Sequence, residues 1–154
     1  MTLPDELLIR DATAENLPAI VALLADDLLG RGREAAAVDP AYERAFAAID
    51  ADPNNRLLVA EHAGQIVGCF QLTFLPGIGR GGAWRAQIES VRVAQSERGR
   101  GTGAAMMRWA IERARERGCA LVQLTTDKRR GDAHRFYRRL GFVASHEGMK
   151  LGLP

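Results

Sequence analysis

The chain has 154 residues, of which 47% are hydrophobic and 26% charged, with a formal net charge of +2. That balance suits one domain, spanning 1–154, around a single core, and it excludes a disordered chain. No apolar run approaches the roughly 20 residues of a membrane helix, and the acidic start from Met1 to Glu6 lacks the basic and apolar regions of a secretory leader.

The even total hides an uneven distribution. Residues 1–84 carry six Arg/Lys against twelve Asp/Glu, and residues 98–139 carry twelve against four. Two surfaces solvated differently would give this pattern. So would a basic half that holds a polyanion and an acidic half that draws in a cation. Cys69 and Cys119 are expected as reduced core thiols of a cytoplasmic protein, because a domain of this size needs no crosslink.

In chain order, Leu7-Leu8-Ile9-Arg10 reads as a first strand. Thr13 is a plausible N-cap for a helix carrying Leu17, Ile20, Val21 and Leu24 on one face. Gly30-Arg31-Gly32 ends it or marks a loop. Asp39-Pro40 starts a second helix with Tyr42, Phe46 and Ile49, and Asp52-Pro53-Asn54-Asn55 is a turn. Strands over 57–60 and 66–75 around Ala63-Gly64 form a hairpin. The segment 76–82 is a glycine-rich loop, and 83–93 is a further strand, rich in β-formers at Ile88, Val91 and Val93.

The clearest helix follows, with Gly103, Met106, Met107, Ala110 and Ala114 at helical spacing and Gly118 closing it. Residues 121–126 read as a strand, and Asp132 to Leu140 as a helix ending at Gly141. Residues 142–144 and 149–151 read as two short closing strands. No His or Cys spacing suits a metal, and none is expected.

Arg98-Gly99-Arg100-Gly101-Thr102-Gly103 lies between a strand and a helix. Helix N-termini present unpaired N–H groups and a favourable dipole, glycines let the backbone approach an anion, and arginines add charge-assisted bonds. A diphosphate fits there, although a plain tight turn has the same letters. The spacing G-x-G-x-G is not the dinucleotide fingerprint G-x-G-x-x-G, and no G-x-x-x-x-G-K-[ST] loop exists. The basic residues sit among acidic ones without an aromatic stacking run, so no nucleic-acid partner is expected.

The segment from Ile88 to Gly103, a strand ending Val91-Arg92-Val93 followed by the glycine loop, resembles the acetyl-CoA signature of the GNAT N-acetyltransferase superfamily. Downstream, Ala133-His134-Arg135-Phe136-Tyr137-Arg138-Arg139-Leu140-Gly141-Phe142 resembles that family's A-x-x-F-Y-x-x-L-G-F. A resemblance within it, carried by 132–137 and Ser145-His146, points to bacterial aminoalkylphosphonate N-acetyltransferases. It implies a mixed, strongly twisted α/β sheet of six to seven strands, splayed between strands 4 and 5 and flanked by about four helices. It also implies acetyl-CoA as co-substrate, held by Val91, Arg92, Val93, the 98–103 loop, Arg130 and Tyr137.

The implied reaction is direct attack of a primary amine on the thioester, and the amine must first lose a proton. Glu89 is the candidate base. Strict alternation puts it on the face of Gln87, Val91 and Val93. A surface or ion-paired carboxylate is the other reading. The family's earlier base position is Gln87, which cannot act as one. Tyr137 is the candidate acid for the departing thiolate, or else packs its helix on the sheet.

Where many members place Asn, this chain has Arg130, a ligand contact or a solvated arginine. Arg129, Arg135 and Arg138 are open for the 3′-phosphate. The acceptor region implied by the family holds Asp26, Asp27, Tyr42 and Trp84, together with Glu34, Asp39 and Glu43. A small cationic or zwitterionic amine is expected. Peptide acetylation and a non-catalytic, CoA-binding regulatory role are the alternatives. A homodimer is expected by family habit, and a membrane partner is not.

Overall fold

A computed structural model describes residues 7–26 and 37–154. The structure divides into two compact units, Met1–Gln123 and Leu124–Pro154.

The first unit is built on a sheet. β1 (Leu7–Asp11), β2 (Asn55–His62), β3 (Gln65–Leu75) and β4 (Arg85–Val93) follow one another antiparallel, and β5 (Leu121–Leu124) lies beside β4. β4 and β5 are hydrogen-bonded neighbours, and two contacts at their edges fix their direction. Ala120 N–H donates to Trp84 O (2.8 Å), and Gln123 Nε2 donates to Gln87 Oε1 (3.0 Å). Partners advance together along both strands, so β5 runs parallel to β4 and the sheet is mixed.

Helices cover both faces. α1 (Leu17–Ala25) and α2 (Pro40–Ala51) pack on one, where Ala12, Ile20, Val59 and Cys69 form a core flanked by Leu23, Leu24, Phe46 and Leu57. α2 starts where expected, whereas Thr13 caps a separate turn and the N-cap position of α1 itself is Asn16. A 3-10 turn, Ala14–Asn16, is boxed by Thr13 and Asn16 ahead of α1. The Asp39 carboxylate accepts from Ala41 N–H (2.8 Å) at the start of α2. The hairpin turn places Ala63 and Gly64 at φ 51° and 78°, as a two-residue turn between twisted strands requires. Between β3 and β4, the single turn α3 (Gly79–Gly82) includes left-handed Arg80 and Gly81.

On the other face lies α4 (Thr102–Glu116), whose buried side is Thr102, Ala105, Met106, Met107, Ala110 and Ala114. Phe70 meets Trp109 edge-on at 6.1 Å between centroids. The guanidiniums of Arg56 and Arg113 stand 5.1 and 4.9 Å from the Trp109 ring, and Arg56 is also paired with Asp11 (2.9 Å). These arginines cover the aromatic surface that the end of the core leaves open. The helix stops at Gly118, φ 74°, as the sequence suggests.

The second unit holds α5 (Gly131–Arg139), ending before Gly141 at φ 99°. The closing strands expected over 142–144 and 149–151 are absent, so the described residues contain five strands rather than six to seven. Val143, Met149 and Leu151 are 81%, 94% and 87% exposed. A short apolar run does not make a strand without a partner to receive its backbone bonds.

Candidate functional site

The alternation of β4, the strand with the candidate base, breaks once. Gln71 stands opposite Glu89 and Cys69 opposite Arg92, so β4 uses three steps where β3 uses two. The extra residue is at Ser90, whose φ of 56° is rare for a residue with a Cβ. Before the bulge, Gln87 and Glu89 face α1 and α2, while Ala86 and Ile88 are buried toward α4. After it the phase is reversed. Arg92 shares the Cys69 face with Glu89, and Val93 joins Gly68 on the α4 face. The expectation that Glu89 shares a face with Val93 is therefore corrected, while its pairing with Gln87 stands.

Glu89 is exposed and accepts one weak bond from Gln87 Nε2 (3.5 Å). Around it the sheet face is polar. Asn55 Oδ1 accepts from Gln71 Nε2 (3.2 Å) and from the Thr73 hydroxyl (2.6 Å), and Asn55 Nδ2 donates to Asp52 (2.8 Å). The Asn54 amide and the Asn55 side chain hold the Asp52 carboxyl below its usual range. Individually these Asn and Gln residues carry no motif. Only the register, with Thr73 opposite Gln87 and Gln71 opposite Glu89, assembles them.

Past Val93, a 3-10 turn, Gln95–Glu97, leads into the glycine loop. Gly99 and Gly101 have φ of 82° and 84°, and the first helical bond is Ala105 N–H to Gly101 O (3.0 Å). The amides of Thr102, Gly103 and Ala104 thus have no intrahelical acceptor, at the positive end of a 15-residue helix. Arg98 and Arg100 are exposed beside them. Thr102 is only 1% exposed and its Oγ1 is buried, so its contribution to an anion is its N–H and not its hydroxyl. These residues fit a diphosphate. Next to them, the Val91 carbonyl accepts from the Arg92 guanidinium (2.8 Å) and the Val93 carbonyl from Arg98 Nε (3.3 Å). Glu97 is buried, with His62 Nδ1 3.6 Å from its Oε1. No motif in the sequence marks that pair.

Tyr137 lies in the second unit, half-buried on α5, with its ring edge-on to Phe136 (5.1 Å) and Phe142 (5.7 Å). Arg130 is the residue preceding α5, and its N–H donates to Asp127 O (2.9 Å). Arg129 is clasped by both carboxylate oxygens of Asp127 (2.9 Å each), which holds the Asp127 carboxyl well below its ordinary range. Arg135 pairs with Asp132. Of the three arginines named for a 3′-phosphate, Arg138 has no ion pair among the described residues.

Asp27 and Glu34 lie outside the described residues. Asp26 is exposed at the end of α1, Tyr42 is half-buried on α2, and Trp84 is half-buried just before β4. The cavity between α1 and α2, about 420 Å³, is lined by Ala14, Leu17, Pro18, Val38, Glu43 and Phe46. It brings in Glu43 and none of Asp26, Tyr42 and Trp84.

A strand that passes through two left-handed glycines into an open helix N-terminus gives this α/β domain a backbone suited to a phosphate group. Residues 17–142 match the acetyltransferase (GNAT) family. Over 139 residues the chain is 33% identical to the aminoalkylphosphonate N-acetyltransferase of Salmonella typhimurium, covering 90% of this chain and 86% of that protein. A solved structure of a transcriptional regulator from Bacillus halodurans C-125 superposes with a TM-score of 0.93 at 52% identity, covering 96% of this chain and 99% of that one. An acetyltransferase from Clostridium acetobutylicum, solved with acetyl-CoA, shares the fold at a TM-score of 0.73 and 20% identity, over 95% and 96% of the two chains. The chain belongs to the GNAT family and is an N-acetyltransferase. Among its described residues no helix is long and apolar enough to cross a membrane.

Proposed function

We propose that residues 1–154 act as one domain that moves the acetyl group of acetyl-CoA to the primary amine of a small cationic or zwitterionic metabolite. The observation that carries this is the open helix start behind Gly99 and Gly101, delivered by the same strand that presents Glu89. Acetyl-CoA supplies an activated thioester. The amides of 99–103, with Arg98 and Arg100, hold its diphosphate, and Val91, Arg92 and Val93 line its pantetheine. Arg130 and Tyr137 add contacts.

Glu89, directly or through water, takes a proton from the incoming ammonium, and the Tyr137 hydroxyl gives one to the departing sulfur. The acceptor meets Asp26, Asp27, Tyr42 and Trp84. Similarity to an aminoalkylphosphonate N-acetyltransferase supports an amine that also bears an anion. Two free thiols are in keeping with a cytoplasmic location, and the active form is taken as a homodimer.

A thiol-release screen across amines, aminophosphonates and peptides tests this reading. Turnover of a small amine, lost by about 100-fold or more in Glu89→Gln and Tyr137→Phe with acetyl-CoA still bound, is the expected result. Turnover of peptides alone would replace the substrate class. Similarity to a transcriptional regulator favours a second reading, a domain that binds acetyl-CoA as a signal. Tight binding with no turnover of any amine would select it.

A further inference from the structure

Met149, Leu151 and Leu153 are 94%, 87% and 85% exposed. In a strand, alternate residues share a face, so these three would form one apolar side with Lys150 and Gly152 on the other. Residues 147–154 lie in no helix, strand or turn, and among the described residues their backbone forms no hydrogen bond. None has a left-handed φ, so nothing local bars an extended path. The segment also leaves its own chain. A Cβ on Gly148 would stand 3.7 Å from Thr125, the residue after β5, whereas one on Gly152 would meet nothing within 4 Å.

The two outer strands of the sheet are finished differently. β1 carries Arg10 paired with Glu61 and Asp11 paired with Arg56, and charges of that kind discourage a further strand. β5, Leu121-Val122-Gln123-Leu124, carries no charge, and all four of its residues are half-buried. Its outer edge has no neighbouring strand among the described residues. An open, uncharged edge is a template for another strand.

We infer that residues 149–153 pair with β5 of a second copy of this chain, which returns its own tail to the first. This rests on the reading of the active form as a homodimer and gives that dimer its interface. A second copy offers the same open β5, and five residues of tail suffice to lie along four of strand. Each side then receives the backbone bonds that it lacks alone. The exchange is two-fold, so it closes at a dimer. Met149, Leu151 and Leu153 present roughly 500 Å² per tail. Two tails supply roughly 1,000 Å² before the β5 surfaces beneath them are counted, which reaches the range of a specific interface.

The test is sedimentation velocity of the full chain and of Leu151→Asp, with amide hydrogen exchange on both. Leu151 is exposed in the single chain, so the variant should keep the wild-type circular dichroism. The wild type should be a dimer at tens of micromolar. Leu151→Asp should raise its dissociation constant by about 100-fold or more, because the charge would be buried at the centre of the contact. Amides of 149–153 should exchange slowly in the dimer and rapidly in the variant. A dimer that Leu151→Asp leaves intact overturns the exchange and spares the homodimer reading. A monomeric wild type with rapidly exchanging tail amides overturns both. Slow 149–153 amides in a monomer would place the tail on its own chain and overturn the exchange as well.

Discussion

Gly68 lies against Met106: a Cβ placed on it would stand 2.7 Å from the Met106 sulfur and 3.2 Å from the Arg92 carbonyl. β3 and α4 can approach this closely only because that side chain is missing. Gly68→Ala should therefore cost about 1–3 kcal/mol, read as a lower denaturation midpoint. Met106→Ala in the same chain should recover part of the Gly68→Ala loss, because the Met106 thioether is the flexible half of the clash. Additive losses would show that the Arg92 carbonyl is the obstacle.

Ser90 holds the left-handed backbone of the bulge at φ 56°. An L-residue there costs about 1–2 kcal/mol, and glycine gives back part of that gain through its freer unfolded chain. Ser90→Gly should stabilise by about half a kcal/mol, and Ser90→Val should destabilise by more than 1. Urea unfolding of the two variants checks both signs. A stabilised valine variant would mean that the bulge is not held in solution.

Gly99 has φ 82° with open space where a Cβ would go. Its substitution is penalised by conformation alone. Gly99→Ala should weaken acetyl-CoA binding about ten-fold by calorimetry while leaving the melting temperature within a few degrees. Unchanged affinity would remove this loop from the diphosphate site.

Burial pushes the Cys69 thiol from 9.0 up to about 12. The folded chain keeps a proton that the unfolded chain has lost between those values. The corresponding stability is complete below pH 9 and disappears as pH rises toward 12. The stability advantage of the wild type over Cys69→Ala should shrink as pH rises from about 9 toward 12 in chemical denaturation. A thiol reagent at neutral pH should label half-buried Cys119 quickly and Cys69 only on unfolding.

Much of this was legible beforehand. Caps, turns and glycine stops are local chemistry, so Thr13, Asp39, Ala63-Gly64, Gly118 and Gly141 marked their boundaries in the letters alone. The glycine loop was legible for the same reason. Registers were not. Ser90 carries no glycine to announce a bulge, so alternation carried Glu89 and Val93 onto one face. Asn55, Gln71, Thr73, Gln87 and Gln123 come from four strands, and their meeting depends on pairing that no short window contains. The closing strands failed for a related reason: Phe142-Val143-Ala144 and Met149-Lys150-Leu151 are mostly apolar, but nothing in them specifies a partner.

The single inserted residue at Ser90 gives β4 two frames. In the first, alternate positions offer their side chains to the polar floor; in the second, Val93 turns to the layer that anchors α4. Sliding that frame change by one residue would turn a different side chain toward the floor and leave the neighbouring strands as they are. In such a strand, which side chain faces the floor is set as much by where the insertion falls as by which residues are present. A one-residue insertion or deletion within 85–93 would thus be a change of chemistry before it was a change of fold.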